Sequence, residues 1–163
     1  MTQQINFVNR SGHTLRGMLD FPDGKETAPV LMNIHGFTGT MGGFKGAHTH
    51  LARTLAKNGI ACVRFDMYGN GESDGEFEDM TFTSLLEDAE DIYQWILTQP
   101  WADKEHIILS GQSMGGYVAA CAAPRIQPSA LVLMCPGAGM CLAHCNVRKR
   151  WKHRGFLRRI LRA

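Results

Sequence analysis

Across residues 3–9 and 14–21 apolar and polar side chains loosely alternate, the period of strands with one buried face. Ser11-Gly12 separates the two runs and Pro22-Asp23-Gly24 follows the second, which predicts an antiparallel hairpin at a sheet edge. The pattern then changes. Residues 30–35, 60–66, 106–110 and 130–135 are short, mostly apolar runs, as expected of parallel strands covered on both faces. Between them the period lengthens to that of helices. Residues 47–58 repeat apolar side chains at Ala47, Leu51 and Leu55, and Gly59 is a natural C-terminal stop. Residues 83–98 put Leu85, Ala89, Ile92 and Ile96 on one face, with Glu87, Asp88, Glu90 and Asp91 largely away from it. Pro100 closes that region, and a third helix is predicted from Ser113 to Ala123, ended by Pro124. Strands alternating with helices imply an α/β fold around a largely parallel sheet.

Composition adds bounds. The 163 residues are 44% apolar, 20% charged and 9% aromatic, which suits one core and excludes collagen-like, low-complexity and disordered classes. A formal charge of +2 hides a split. Residues 1–140 hold all fifteen acids and nine Lys/Arg, a net of −6, whereas the last 23 residues carry eight Lys/Arg and no acid. The composition break near Met140 therefore divides the chain into 1–140 and a basic tail, 141–163. No apolar run approaches the roughly 18–20 residues that span a bilayer, and residues 1–10 lack a basic-then-apolar signal pattern. A cytoplasmic location is expected. Five cysteines are an odd number, and Cys62, Cys121 and Cys135 lie in apolar stretches, which reads as reduced thiols without a disulfide framework.

The candidate chemistry centres on Gly111-Gln112-Ser113-Met114-Gly115, which follows an apolar run and opens a predicted helix. In that context G-x-S-x-G reads as a nucleophile elbow, a sharp strand-to-helix turn whose flanking glycines avoid clashes. The competing reading is a glycine-bounded loop in which Ser113 merely caps the helix. A second motif, His35-Gly36-Phe37-Thr38-Gly39, follows the run at 30–34. His35 has two readings, a general base or, as its position favours, a brace for its own loop. A third stretch, Asp66-Met67-Tyr68-Gly69-Asn70-Gly71-Glu72-Ser73-Asp74-Gly75, has the acids and glycines of a calcium loop but not the twelve-residue ligand spacing.

These three motifs, in this order, together with Gly75-Glu76-Phe77-Glu78-Asp79-Met80-Thr81, resemble the α/β-hydrolase superfamily and, in detail, the bacterial cinnamoyl/feruloyl esterases among the serine carboxylesterases. The resemblance covers about residues 5–138. It implies an α/β-hydrolase fold, with a mostly parallel sheet and an N-terminal antiparallel hairpin. It also implies Ser113 as nucleophile, an oxyanion hole formed by the backbone N–H groups of Phe37 and Met114, a small-molecule ester substrate, and no cofactor. Residues 66–75 become a structural strand-to-helix loop rather than a metal site.

The family pattern then stops. Members continue with a lid and two more strand-helix units that carry the triad acid and base, in the order Ser, Asp or Glu, His. Here Glu105 is the last acidic residue, and the later histidines, His144 and His153, lie in the basic tail. No triad acid or base is found, and a catalytically incomplete esterase is expected. The strand at 130–135 would then form an apolar sheet edge open to self-association. Three accounts of the tail compete: a frame-shifted or prematurely ended product, a basic amphipathic helix for anionic lipid or nucleic acid, and a metal site of Cys141, His144, Cys145 and His153. The first is favoured, since a locally inconsistent segment marks unselected sequence; for the cysteines, free thiols are the simpler reading. A non-catalytic binding protein acting through the tail and a peptidase-like hydrolase are the alternative functions.

Overall fold

The computed structural model describes residues 1–137. Six strands, β1 (Thr2–Val8), β2 (Thr14–Asp20), β3 (Ala28–Ile34), β4 (Ala61–Phe65), β5 (Ala102–Gln112) and β6 (Ala130–Met134), form one sheet in the order β1-β2-β4-β3-β5-β6. The hairpin predicted from alternation is present: β1 pairs antiparallel with β2, and β2 antiparallel with β4. From β4 onward all pairings are parallel. The helices are α1 (Ala47–Lys57), α2 (Phe82–Thr98) and α3 (Met114–Ile126).

Strand periodicity sorts the core into two layers. Leu31, Cys62 and Ile108, side by side in register, meet Leu51, Ala52 and Leu55 of α1 on one face. Val30, Met32, Ile34, Val63, Phe65, Ile107 and Leu109 point the other way, into the larger cluster with Leu85, Ala89, Ile92 and Ile96 of α2 and Val118 of α3. Each such fully buried side chain contributes roughly 1.5–3 kcal/mol relative to exposure. The apolar stripe expected of α2 is therefore the one it buries. Its start is set by a capping box, in which Thr81 Oγ1 accepts from Ser84 N–H at 3.0 Å and Thr81 N–H donates to Ser84 Oγ at 2.9 Å.

Three expectations are corrected. Asp88 is 1% exposed rather than solvated: its oxygens accept from Asn9 Nδ2 and Tyr68 N–H at 2.8 Å each, tying the β1–β2 turn and the loop after β4 to α2. Burial raises its pKa. Pro124 lies inside α3 rather than ending it. Two residues before the helix end its missing N–H forfeits one hydrogen bond, which the packed helix tolerates. Finally, Cys62 and Cys135 are free thiols as expected, but Cys121 is disulfide-bonded. Burial pushes the Cys62 thiol up to about 12, so it is an inert core residue. The histidines, cysteines and arginines of the tail lie outside the described residues. Among the described residues no helix is long and apolar enough to cross a membrane, and β6 is the outer strand, with Val132 and Leu133 exposed.

Candidate active site

β5 ends at Gln112 and α3 begins at Met114, so Ser113 alone makes the turn between them. It does so at φ 53°, ψ −117°, a conformation that strains a residue with a Cβ by about 1–3 kcal/mol. Three backbone hydrogen bonds hold it there. Ser113 N–H donates to Met134 O at 3.0 Å, and Ser113 O accepts from Tyr117 N–H and Gly137 N–H, both at 3.1 Å. The flanking glycines are required by close approach. A Cβ on Gly111 would overlap Gly115 O, and one on Gly115 would overlap the carbonyl oxygens of Ile34 and His35. The capping alternative is not realised, because the Ser113 side chain makes no bond to the first turn of α3. Ser113 is exposed, and among the described residues its hydroxyl has no hydrogen-bond partner.

The loop after β3 lies against this turn: a Cβ on Gly36 would come 3.3 Å from Ser113 Cβ. Its shape is held at both ends by the C-terminal end of β4. His35, 2% exposed, donates from Nδ1 to Gly36 O at 2.9 Å and accepts at Nε2 from Met67 N–H at 3.2 Å. Both ring nitrogens are engaged and burial lowers the ring's pKa, so His35 is the brace rather than a base. Further along, Met41 N–H donates to Asp66 Oδ1 at 2.6 Å and Met41 O accepts from Arg64 Nη1 at 3.1 Å. Arg64 is itself fixed by a buried ion pair with Asp20, 2.6 Å long. Among the described residues no acceptor is bonded to the backbone N–H of Phe37 or of Met114. The Phe37 ring is 57% exposed and leans on Phe77, with centroids 5.3 Å apart.

The acidic stretch after β4 is structural. Asp66 Oδ2 accepts from Glu72 N–H at 2.9 Å, so with Met41 both of its oxygens are used. Asp74 accepts from Thr14 N–H and Arg16 Nη1, each at 2.7 Å, and Arg16 with these bonds holds its carboxyl down at about 2. Residue-type reasoning missed His48, Gln112, Asp20 and Arg64. His48 Nε2 meets Gln112 Oε1 at 2.7 Å, directly before Ser113. A signal existed: His48 is on the same i, i+3, i+4, i+7 stripe as Leu51, Ala52 and Leu55, where a polar residue must find a buried partner.

A serine at a strained strand-to-helix turn, on the C-terminal side of a mostly parallel sheet with helices on both faces, defines the α/β-hydrolase class of fold. Within that class the chain belongs to the Hydrolase_4 family, described as serine aminopeptidase S33, whose model matches residues 25–160. It is similar to the thiohydrolase aneE of Aspergillus aculeatus, 30% identical over 137 residues that make up 82% of this chain and 41% of aneE. Among solved structures, the α/β hydrolase GrgF of Penicillium superposes with TM-score 0.75 at 26% identity, covering 83% of this chain and 46% of GrgF. Est1E of Butyrivibrio proteoclasticus, solved with ferulic acid bound, superposes with TM-score 0.74 at 31% identity, covering 82% and 53%. The chain thus spans about half or less of the length of these relatives.

Proposed function

We propose that this hydrolase acts on carboxylic esters through Ser113, with the N–H groups of Phe37 and Met114 as the oxyanion hole. The observation that carries this reading is the conjunction at the elbow: an exposed Ser113 hydroxyl beside two backbone N–H donors, none of the three bonded to a partner among the described residues. Ser113 Oγ attacks the acyl carbonyl as its proton passes to a base, and the carbonyl oxygen takes up negative charge facing the two donors. Collapse of the tetrahedral species expels the alcohol, which takes a proton, and leaves an acyl-serine. Attack by water then releases the acid and regenerates the hydroxyl. The exposed Phe37–Phe77 pair supports an aromatic or other small apolar acyl group, consistent with ferulic acid in Est1E. The family description makes an amide substrate the alternative.

The base lies outside residues 1–137 in this reading, because among the described residues none of His13, His35, His48, His50 and His106 is bonded to the Ser113 hydroxyl, and His35, His48 and His106 are bonded elsewhere. In the order Ser, acid, His, the acid falls between Ser113 and the histidine, and no Asp or Glu lies between Ser113 and either His144 or His153. The chain on its own is therefore slow. Incubation with p-nitrophenyl butyrate should give an acyl adduct mapped by peptide mass to Ser113 and absent from Ser113→Ala. Turnover should stay near the residual level of about 10³–10⁴ over water, well short of a complete triad. An adduct on another residue, or none, overturns the assignment of Ser113. Fast serine-dependent turnover overturns the missing base, and preference for a p-nitroanilide over the matching ester favours the peptidase alternative.

A further inference from the structure

The face of the sheet that packs on α1 turns polar at its upper end. Two residues beyond the apolar row Leu31, Cys62 and Ile108, the same three strands present Asn33, Arg64 and Ser110 on the same face, again in register. His48 occupies the matching place on α1, at the first turn of the stripe that continues as Leu51, Ala52 and Leu55. Next to it, Thr49 Oγ1 accepts from Arg64 Nη1 at 3.0 Å, which brings the start of α1 and the end of β4 together. The layer is closed to solvent: Asn33, His48, Arg64 and Ser110 are each no more than 4% exposed.

Most polar atoms of this layer are satisfied. Ser110 Oγ donates to Asn33 Oδ1 at 2.7 Å, and Arg64 uses Nη1 and Nη2 on Met41, Thr49 and Asp20. Three are not: among the described residues, the buried Asn33 Nδ2, Arg64 Nε and His48 Nδ1 have no hydrogen-bond partner. Their chemistry is complementary rather than repetitive. Asn33 Nδ2 and Arg64 Nε can only donate. Gln112 Oε1 can only accept, so the proton of His48 sits on Nε2 and Nδ1 is left as a lone pair. Two donors and one acceptor are the complement of a single water molecule, which accepts twice and donates, and buried waters make about three such bonds. An anion would leave His48 Nδ1 facing a negative charge, and a cation would face two N–H groups.

We propose that Asn33, Arg64 and His48 hold one internal water molecule beneath the elbow, and that this water fixes His48 as the Nε2–H tautomer that anchors Gln112. The elbow is then held from below as well as from β6. Gln112 is the residue before Ser113, and a strained backbone persists only where its surroundings over-determine it. Burial, with the neighbouring Arg64 charge, lowers the His48 pKa and keeps the ring neutral, as the lone pair on Nδ1 requires. The inference needs only the geometry of this layer and stands whether or not Ser113 turns over esters.

Nuclear magnetic resonance on the 15N-labelled full chain tests it. Long-range couplings in the His48 ring should place the proton on Nε2, and water-selective cross-relaxation should reach both the Asn33 side-chain amide and the Arg64 Nε–H with the sign of a long-lived bound water. A proton on Nδ1, or no water contact at either group, overturns the proposal.

Discussion

Replacing Asp20 by Asn removes one charge from the sheet interior without changing its shape. Asp20 and Arg64 are paired at 2.6 Å with side chains 2% and 3% exposed, so the guanidinium left behind cannot turn to bulk solvent for the lost carboxylate. Removing one partner of such a pair destabilises by about 3–5 kcal/mol. The lower end applies here, because an Asn oxygen can still accept one bond and Arg64 retains Met41 O and Thr49 Oγ1. Deleting both charges together, as Asp20→Leu with Arg64→Met, leaves no stranded ion. The double variant loses instead the bonds of Arg64 to Met41 and Thr49 and of Thr2 Oγ1 to Asp20, about 1 kcal/mol each, offset in part by no longer burying two charges, and should lie within about 2 kcal/mol of the parent. Urea unfolding followed by circular dichroism resolves these values, since at a slope of roughly 1–3 kcal/mol/M the single substitution moves the midpoint by about 1 M or more. A loss under about 1 kcal/mol for Asp20→Asn, or a double variant as unstable as the single, would refute the claim that this is a buried, mutually dependent pair. The same variant should loosen the loop after β3, because Arg64 is what holds Met41 O.

Gly115→Ala should destabilise by about 2 kcal/mol, since overpacking against the fixed carbonyls of Ile34 and His35 outweighs the roughly 1 kcal/mol gained in helix propensity; thermal melts check it, and a neutral or stabilised variant refutes the close approach. Thr81→Ala removes the α2 capping box and should lower stability by about 0.5–2 kcal/mol, with faster amide exchange confined to the first turn of α2. His35 and His48 have folded-state pKa values lowered mainly by burial, so their stabilising contribution is fully present above the unfolded value of about 6.5 and is lost as pH falls through the folded values. Urea midpoints should therefore decline from pH 7.5 to pH 6, and a rising midpoint over that window would contradict the neutral, buried rings.

How much of the molecule was legible in advance follows from which interactions are local. The hairpin, the four apolar runs and the three helices each depend on neighbours within a few residues, and the elbow depends on glycines two positions either side of Ser113. Element ends were less legible: α3 runs past Pro124 because packing against the sheet and α2 outweighs one missing hydrogen bond. Asp88 misled because a carboxylate on a helix is ordinarily solvated, and nothing near it in sequence announces Asn9 or the N–H of Tyr68.

The chain's own order of residues determined the class of fold, the elbow and the loop beside it, since strand period, helix period and turn chemistry are properties of short segments. Only the tertiary structure decided what surrounds them. That Arg64 and Asp66 grip Met41, that His35 braces its loop instead of serving as a base, and that His48 reaches Gln112 under the elbow all come from strands and helices brought side by side by the sheet order β2-β4-β3-β5. The physical reason is that a buried polar group must be satisfied by whatever partner the fold places within about 3 Å, and sequence distance places no limit on which residue that is.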